Sequence, residues 1–365
     1  MPDPGWGPRD SGGHGQGLGL GLEPESAGSR QGVADDTDAR SSPVGGLLAP
    51  TGAAVYRTER EDPDVKQYLD LVREVLSKGT RKENRTGVDT LSTFNVNYEI
   101  DLREGFPLLT TKEISWKNIV VENLWFLSGD THIGLLQKHK CKFWDPWADD
   151  EGKVPSAYGN FWRHFPVPVG TPHTPGYREG RAEFNDQIAW VDAELRQNPN
   201  SRRLVVSAWA PGNAQTSKLP PCHCLFVFNV QNDERGEPLL NLHLTQRSCD
   251  VALGVPYNIA GYALILELFS RFSGIRAGIF AHTLIDAHVY TAKADGTMAE
   301  YDHVPGLRLQ LERRPRPLPR VAIDPEIRSL ADIEPLLSAS TERILESFVL
   351  TGYDPHPAIA FKVAV

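Results

Sequence analysis

A chain of 365 residues, 40% apolar and 23% charged, has the composition of a globular protein, long enough for one large domain or two ordinary ones. Its net charge of −9 argues against a broad nucleic-acid surface and leaves room only for a local basic pocket. No apolar run reaches the length a bilayer demands, and the N-terminus lacks the basic-then-apolar order of a signal peptide; four cysteines in so long a chain point to free thiols in a reducing compartment, the cytoplasm.

Residues 1–55 are rich in glycine, serine, proline and aspartate, and cannot bury enough surface to offset their ordering entropy, so a disordered tail is expected there and a folded domain over 56–365. The alternating glycines at 13–21 have no strand before them and no helix after them, which a phosphate loop requires. Apolar spacing predicts a helix at 65–76 with Gly79 as its stop, a turn at 84–87 and an alternating strand at 90–102. A second helix is expected at 114–127, with Glu122 inside its apolar run, followed by aromatic loops at 143–147 and 158–162. Then come a helix at 185–196, a strand at 203–209, and two apolar strands at 219–230 and 240–250 joined by the turn 231–238. A long apolar helix at 257–272, a mixed segment at 279–290 and an extended connector at 315–319 complete the chain, with no internal repeat. Strands first and last with helices between favour α+β packing around one sheet.

If 219–230 and 240–250 pair antiparallel, Cys222 at the start of one meets Arg247, Ser248 and Asp250 at the end of the other. That sets a thiol beside a cation that raises its thiolate fraction and, with two free donor edges, suits phosphate. Cys222 reads as a nucleophile or as a buried structural thiol; Cys224 and Cys249 read as core packing, and no second ligand cluster supports a zinc site. A carboxylate buried at Glu122 would have a raised pKa suited to proton transfer. The pair Arg202 and Arg203 is a phosphate clamp or a solvated strand start. Trp144 and Trp147 are core anchors or a stacking platform, and His288 and Tyr290 are a satisfied polar pair or a sugar-hydroxyl site. Asn258 is a helix cap or a reader of a pyrimidine edge.

Together, the runs NRTG (84–87), GFPLLTTK (105–112), ENLWFLSGDT (122–131), WDPWAD (144–149), YG (158–159), SRR (201–203), PCH (221–223), QRSCD (246–250), GVPYN (254–258), DAHVY (286–290) and GYDPHP (352–357) resemble, in order, the motifs of the folate-dependent thymidylate synthases. The resemblance covers about 65–365 and implies a single α+β domain of that type, a large mixed β-sheet layered with helices and dimerising through the sheet. It implies that Cys222 adds to carbon 6 of dUMP and makes carbon 5 nucleophilic toward the methylene of 5,10-methylenetetrahydrofolate. Glu122, Tyr158 and His223 would organise the water and proton transfers, with Asn258, Asp250 and Arg247 also counted in the catalytic set. The folate would serve as one-carbon donor and reductant, giving dTMP and dihydrofolate without metal, flavin or nicotinamide. Arg85, Arg247 and Ser248 match phosphate ligands, and Arg202 and Arg203 match the pair supplied by the second subunit of a homodimer. Asn258 matches the uracil-reading amide, and His288 with Tyr290 the ligands of the 3′-hydroxyl. Trp144, Trp147, Leu219, Asp250, Gly254 and Tyr257 match the folate wall, Lys112 a contact to the folate's glutamate tail, and Val365 the end of a closing tail.

Departures from the family pattern stand at Asn95, where glycine is usual, at Asn123, where an apolar residue is, and at Leu284 and Ile285, where one or two glycines are. Ala292 with Lys293 replaces an expected Asn-His pair, and Ala210 with Pro211 replaces a polar turn. One rival is a nucleotide hydroxymethylase of the same superfamily; Asn258, rather than aspartate, favours uracil, and Trp144 favours hydride transfer over water capture. A rival of another class is a catalytically silent nucleotide- or RNA-binding protein, which the complete set of catalytic-type residues and the negative charge disfavour.

Overall fold

A computed structural model describes residues 65–84, 86–166, 184–214 and 217–364; the tail expected at 1–55, Arg85 and Val365 lie outside them. Helix α1 (Lys66–Lys78) buries Tyr68, Leu69, Leu71, Val72 and Val75. It ends at Gly79, which turns to ψ 134° while its N–H stays on the Val75 carbonyl, and only glycine fits there, since a Cβ would sit 2.3 Å from that oxygen. Strands β1 (Thr80–Lys82) and β2 (Asp89–Asp101) form a hairpin. Its turn is bracketed by Asn84, whose side chain accepts the Thr86 N–H and donates to the Val88 carbonyl. Helix α2 (Trp116–Ser128) starts two residues later than its apolar period suggests, because the Ser115 hydroxyl caps the Asn118 N–H, and it ends at Gly129 in the left-handed region.

Helices α3 (Gly134–Lys138) and α4 (Tyr158–Arg163) follow. The second corrects an expected loop: Tyr158, Phe161 and Trp162 are buried together on α4, against α2. The other expected aromatic loop holds a single 3₁₀ turn, Asp145–Trp147. Strands β3 (Phe165–Pro166) and β4 (Phe184–Asn185) make a small pair, and Asp186 caps α5 (Gln187–Gln197) by accepting the Ala189 N–H at 2.9 Å. Then come β5 (Val205–Ser207), α6 (Pro211–Ala214), β6 (His223–Asn232), β7 (Pro238–Gln246), β8 (Cys249–Asp250), α7 (Gly254–Ser273) and β9 (Arg276–Thr291). The last part holds α8 (Val304–Glu312), β10 (Arg320–Ile323), α9 (Glu334–Ser338), α10 (Thr341–Ser347) and β11 (Phe348–Thr351).

The main sheet runs β1-β2-β9-β7-β6-β5 with β8 beside β9, seven strands in all; β10 with β11 and β3 with β4 form separate pairs, so the chain builds one large sheet and two small ones among the described residues. Pairing is antiparallel except for β7 and β8 against β9, where α7 returns the chain to the same direction. The sheet is therefore mixed, and the fold is α+β. Helix α7 is apolar nearly all round because it is enclosed, with the sheet on one side and α2 and α5 on others.

Alternation along the central strands separates two faces. Phe226, Phe228, Leu242, Leu244, Phe280 and Leu284 are buried, while Val227, His243, Ile279 and Ala281 stay half-exposed and, with Leu242, line a shallow groove of about 210 Å³. Asn95 kinks β2 at φ 60°, and Phe94 beside it is 82% exposed.

Candidate active site

The chemistry-bearing side chains gather where β6 begins and β7 ends. Register sets His223 opposite Gln246, and the Arg247 N–H donates to the Cys222 carbonyl at 2.9 Å, so the two ends lie side by side. Cys222 is half-buried. Arg247 departs from the expectation of two open donor edges. Its Nε donates to the Pro221 carbonyl at 2.9 Å and its Nη2 to that of Pro220 at 2.7 Å. Trp209 packs against the guanidinium at 5.4 Å, and Nη2 stands 3.9 Å from the Cys222 Sγ. The arginine thus clamps the loop bearing the thiol. Asp250 lies on β8, a separate strand, rather than at the end of β7. Cys249 is fully buried, whereas Cys224, expected in the core, is half-buried.

Tyr158 lays its ring on His223, centroids 4.4 Å apart, and its hydroxyl accepts the Cys222 N–H at 3.4 Å. Burial pushes the His223 pKa down to about 3, outweighing the Asn258 side-chain hydrogen bond that raises it, so the imidazole is neutral near pH 7. Its Nδ1 meets the Tyr262 hydroxyl at 3.2 Å. On α2, burial pushes the Glu122 carboxyl up to about 7, while the Trp144 Nε1, donating to Oε1 at 2.7 Å, pulls the other way. A carboxyl balanced near neutrality can give and take protons.

Asn258 sits one turn inside α7, which begins at Gly254, so it is not the cap that sequence position allowed. Its Oδ1 accepts from the Gln246 Nε2 at 3.1 Å. His288 and Tyr290 meet edge to face on β9. Burial alone would lower the His288 pKa, yet Asp286 beside it raises the net value, and His288 in turn holds the Asp286 carboxyl well below the usual range. Arg202 and Arg203 are exposed on the turn before β5.

On the expected folate side, Trp144 is buried while Trp147, Leu219, Gly254 and Tyr257 are half-buried. The Asp250 Oδ1 accepts the Ala252 and Leu253 N–H groups at 3.0 and 3.1 Å, fixing the entry to α7. Lys112 is buried; its Nζ donates to the Ala252 carbonyl at 2.5 Å, and burial pushes its pKa down to about 8. Arg85 and Val365 lie outside the described residues. Near the C-terminus, the His303 Nε2 lies 2.9 Å from the Lys362 carbonyl, and its ring lies 4.9 Å from that of Phe361.

Sequence reasoning missed the roles of Gln246, His282 and Asp286. Gln246 and Asp286 stood inside quoted motifs, whereas His282 carried no signal of its own within a segment that mixes apolar and polar residues. Among the described residues no cluster of three or more metal-type ligands occurs, and no helix is long and apolar enough to cross a membrane.

The chain matches the family model described as thymidylate synthase over residues 66–365. It is also 44% identical over 346 residues to the thymidylate synthase of Haloferax volcanii, an alignment covering 81% of this chain and 96% of that protein.

Proposed function

The chain belongs to the thymidylate synthase family, and from that premise we propose how its own residues run the reaction. It is a methyltransferase acting on dUMP with a folate co-substrate. Cys222 supplies the nucleophile for carbon 6 of the pyrimidine, which gives carbon 5 the electron density to accept a one-carbon unit. Arg247 holds the loop that aims the sulfur. Glu122, near its titration midpoint at neutral pH, moves the protons, and Trp144 both orients it and walls off water. Tyr158 and the neutral His223 complete the hydrogen-bonded surroundings of the thiol. Asn258 reads the pyrimidine edge, His288 and Tyr290 hold the deoxyribose hydroxyl, Arg85 and Ser248 serve as phosphate ligands, and Arg247 adds to them only through what its bonds to the Pro220 and Pro221 carbonyls leave open.

The half-buried aromatic faces of Trp147 and Tyr257, with Leu219 and the bare backbone at Gly254, fit a flat heterocycle, and the Asp250 carboxylate fits its ring N–H groups. When bound, 5,10-methylenetetrahydrofolate supplies both the one-carbon unit and the hydride. Lys112 reaches a glutamate tail only by releasing the Ala252 carbonyl; Val365 closes the site. The catalytic domain spans 56–365, and the enzyme works in the cytoplasm. The half-exposed sheet face and exposed Phe94 support a homodimer through the sheet, with Arg202 and Arg203 reaching the phosphate of the partner's site.

The contact between Arg247 and Cys222, joined through Tyr158 to His223 and to the Glu122–Trp144 pair, carries this reading. Incubation with 5-fluoro-dUMP and methylenetetrahydrofolate tests it, because carbon 5 then has no removable proton. The expected result is an adduct of both ligands on Cys222 by intact and peptide mass. An adduct on another cysteine, or none, overturns the reading. Incorporation of a methyl rather than a hydroxymethyl group into dUMP separates the synthase from the hydroxymethylase.

A further inference from the structure

A chain of polar side chains runs inward from the half-buried Tyr98 of β2, through the buried His282 and Gln246, to the half-buried Asn258. The Tyr98 hydroxyl meets the His282 Nδ1 at 2.8 Å, and the His282 Nε2 meets the Gln246 Oε1 at 3.0 Å. The Gln246 Nε2 donates to the Ser248 carbonyl at 3.0 Å and to the Asn258 Oδ1 at 3.1 Å. The direction of every bond follows from one group. The Ser248 carbonyl can only accept, so the nitrogen end of Gln246 must face it, and the oxygen end must face His282. His282 therefore carries its proton on Nε2, and Nδ1 is left to accept from Tyr98. Burial pushes the His282 pKa well below its ordinary value, in keeping with a ring that holds a single N–H. The second Gln246 N–H needs an acceptor, so Asn258 is held with Oδ1 toward Gln246; turned over, its NH₂ would oppose another N–H.

We propose that Tyr98 and His282 are positioning residues which, through Gln246, lock the Asn258 carboxamide in the orientation that selects uracil over cytosine. The proposal rests on Asn258 reading the pyrimidine. The locked amide offers a lone pair and an N–H in fixed order. Uracil presents an N–H at ring position 3 and a carbonyl at position 4, whereas cytosine presents a lone pair and an amino group. A freely turning amide would serve either base; a held one serves one.

The test compares wild type, Tyr98→Phe, His282→Leu, His282→Gln and Asn258→Ala, measuring KM and kcat for dUMP and the inhibition constant of dCMP, with a melting curve for each. His282→Leu is expected to raise KM for dUMP roughly tenfold, the scale of one lost buried hydrogen bond, with kcat changing less. The dCMP constant should hold or tighten, so discrimination falls. Tyr98→Phe should shift discrimination in the same direction by less, and His282→Gln, which restores an N–H donor, should recover it. Folded His282→Leu and Tyr98→Phe proteins with unchanged discrimination overturn the proposal, as does a loss equal for both nucleotides or one that His282→Gln fails to rescue. If His282→Leu does not fold, Tyr98→Phe decides alone. Should Asn258→Ala keep wild-type discrimination, Asn258 is not the reader and the premise fails as well.

Discussion

Glu122 ties its chemistry to pH. Its unfolded carboxyl titrates near 4.5 and its folded one near 7, so between these values the folded state binds more protons and stability falls as pH rises. The contribution is fully present below about 4.5 and gone above about 7. Glu122→Gln removes that slope, so the variant should gain in Tm relative to wild type at pH 8 and not at pH 4.5; turnover should drop by about 10²–10⁴. Differential scanning calorimetry and steady-state rates check both. His223, held near 3 by burial, should show neutral-ring ¹⁵N shifts throughout pH 5–8, so no limb of the pH–rate profile belongs to it. A charge inside an apolar helical run was legible in the sequence at Glu122. The bonds that commit Arg247 to Pro220 and Pro221 were not, because they depend on how a proline-bent loop closes in three dimensions.

Two helices and a strand give a structural reason for two of the departures from the family pattern. Asn95 holds φ at 60°, a region that costs most side chains about 1–2 kcal/mol and that asparagine tolerates best after glycine. The position thus keeps its backbone and changes only its residue. Asn95→Gly should leave stability nearly unchanged, while Asn95→Val should cost about 1–2 kcal/mol by urea denaturation. Asn123 is buried on α2 with Nδ2 bonded to the Ile119 carbonyl, and it lies where a Cβ on Gly261 of α7 would sit 3.1 Å away. The small polar residue and the glycine fit as a pair across the helix contact. Helix periods and strand alternation were readable nearly to the residue at α1, α2 and β2. The helix at Tyr158 was not, because one and a half turns give too little period to count and aromatic residues suit loops equally well.

At the scale of the molecule, one face of the sheet is half-exposed while the other carries the core. A second copy covering it should appear as a dimer in sedimentation equilibrium, and Phe94→Glu should shift the population toward monomer with loss of turnover. If arginines cross between subunits, mixing inactive Cys222→Ser with inactive Arg203→Glu should restore activity, since one site of each mixed dimer then holds only wild-type residues. Continued inactivity after subunit exchange would place the arginines within their own subunit. Strand order and the parallel pairing of β7 with β9 could not be read along the chain, since they depend on which strands meet after α7 turns back.

Gln246 and Arg247 are neighbours in sequence, and in the proposed mechanism one governs the group that identifies the base while the other governs the atom that attacks it. The peptide unit between them acts as a short ruler. On that mechanism, any motion of this end of β7 would move recognition and attack together. Drift that relaxes one without disturbing the other has little room, because both are anchored within a single step of the same strand.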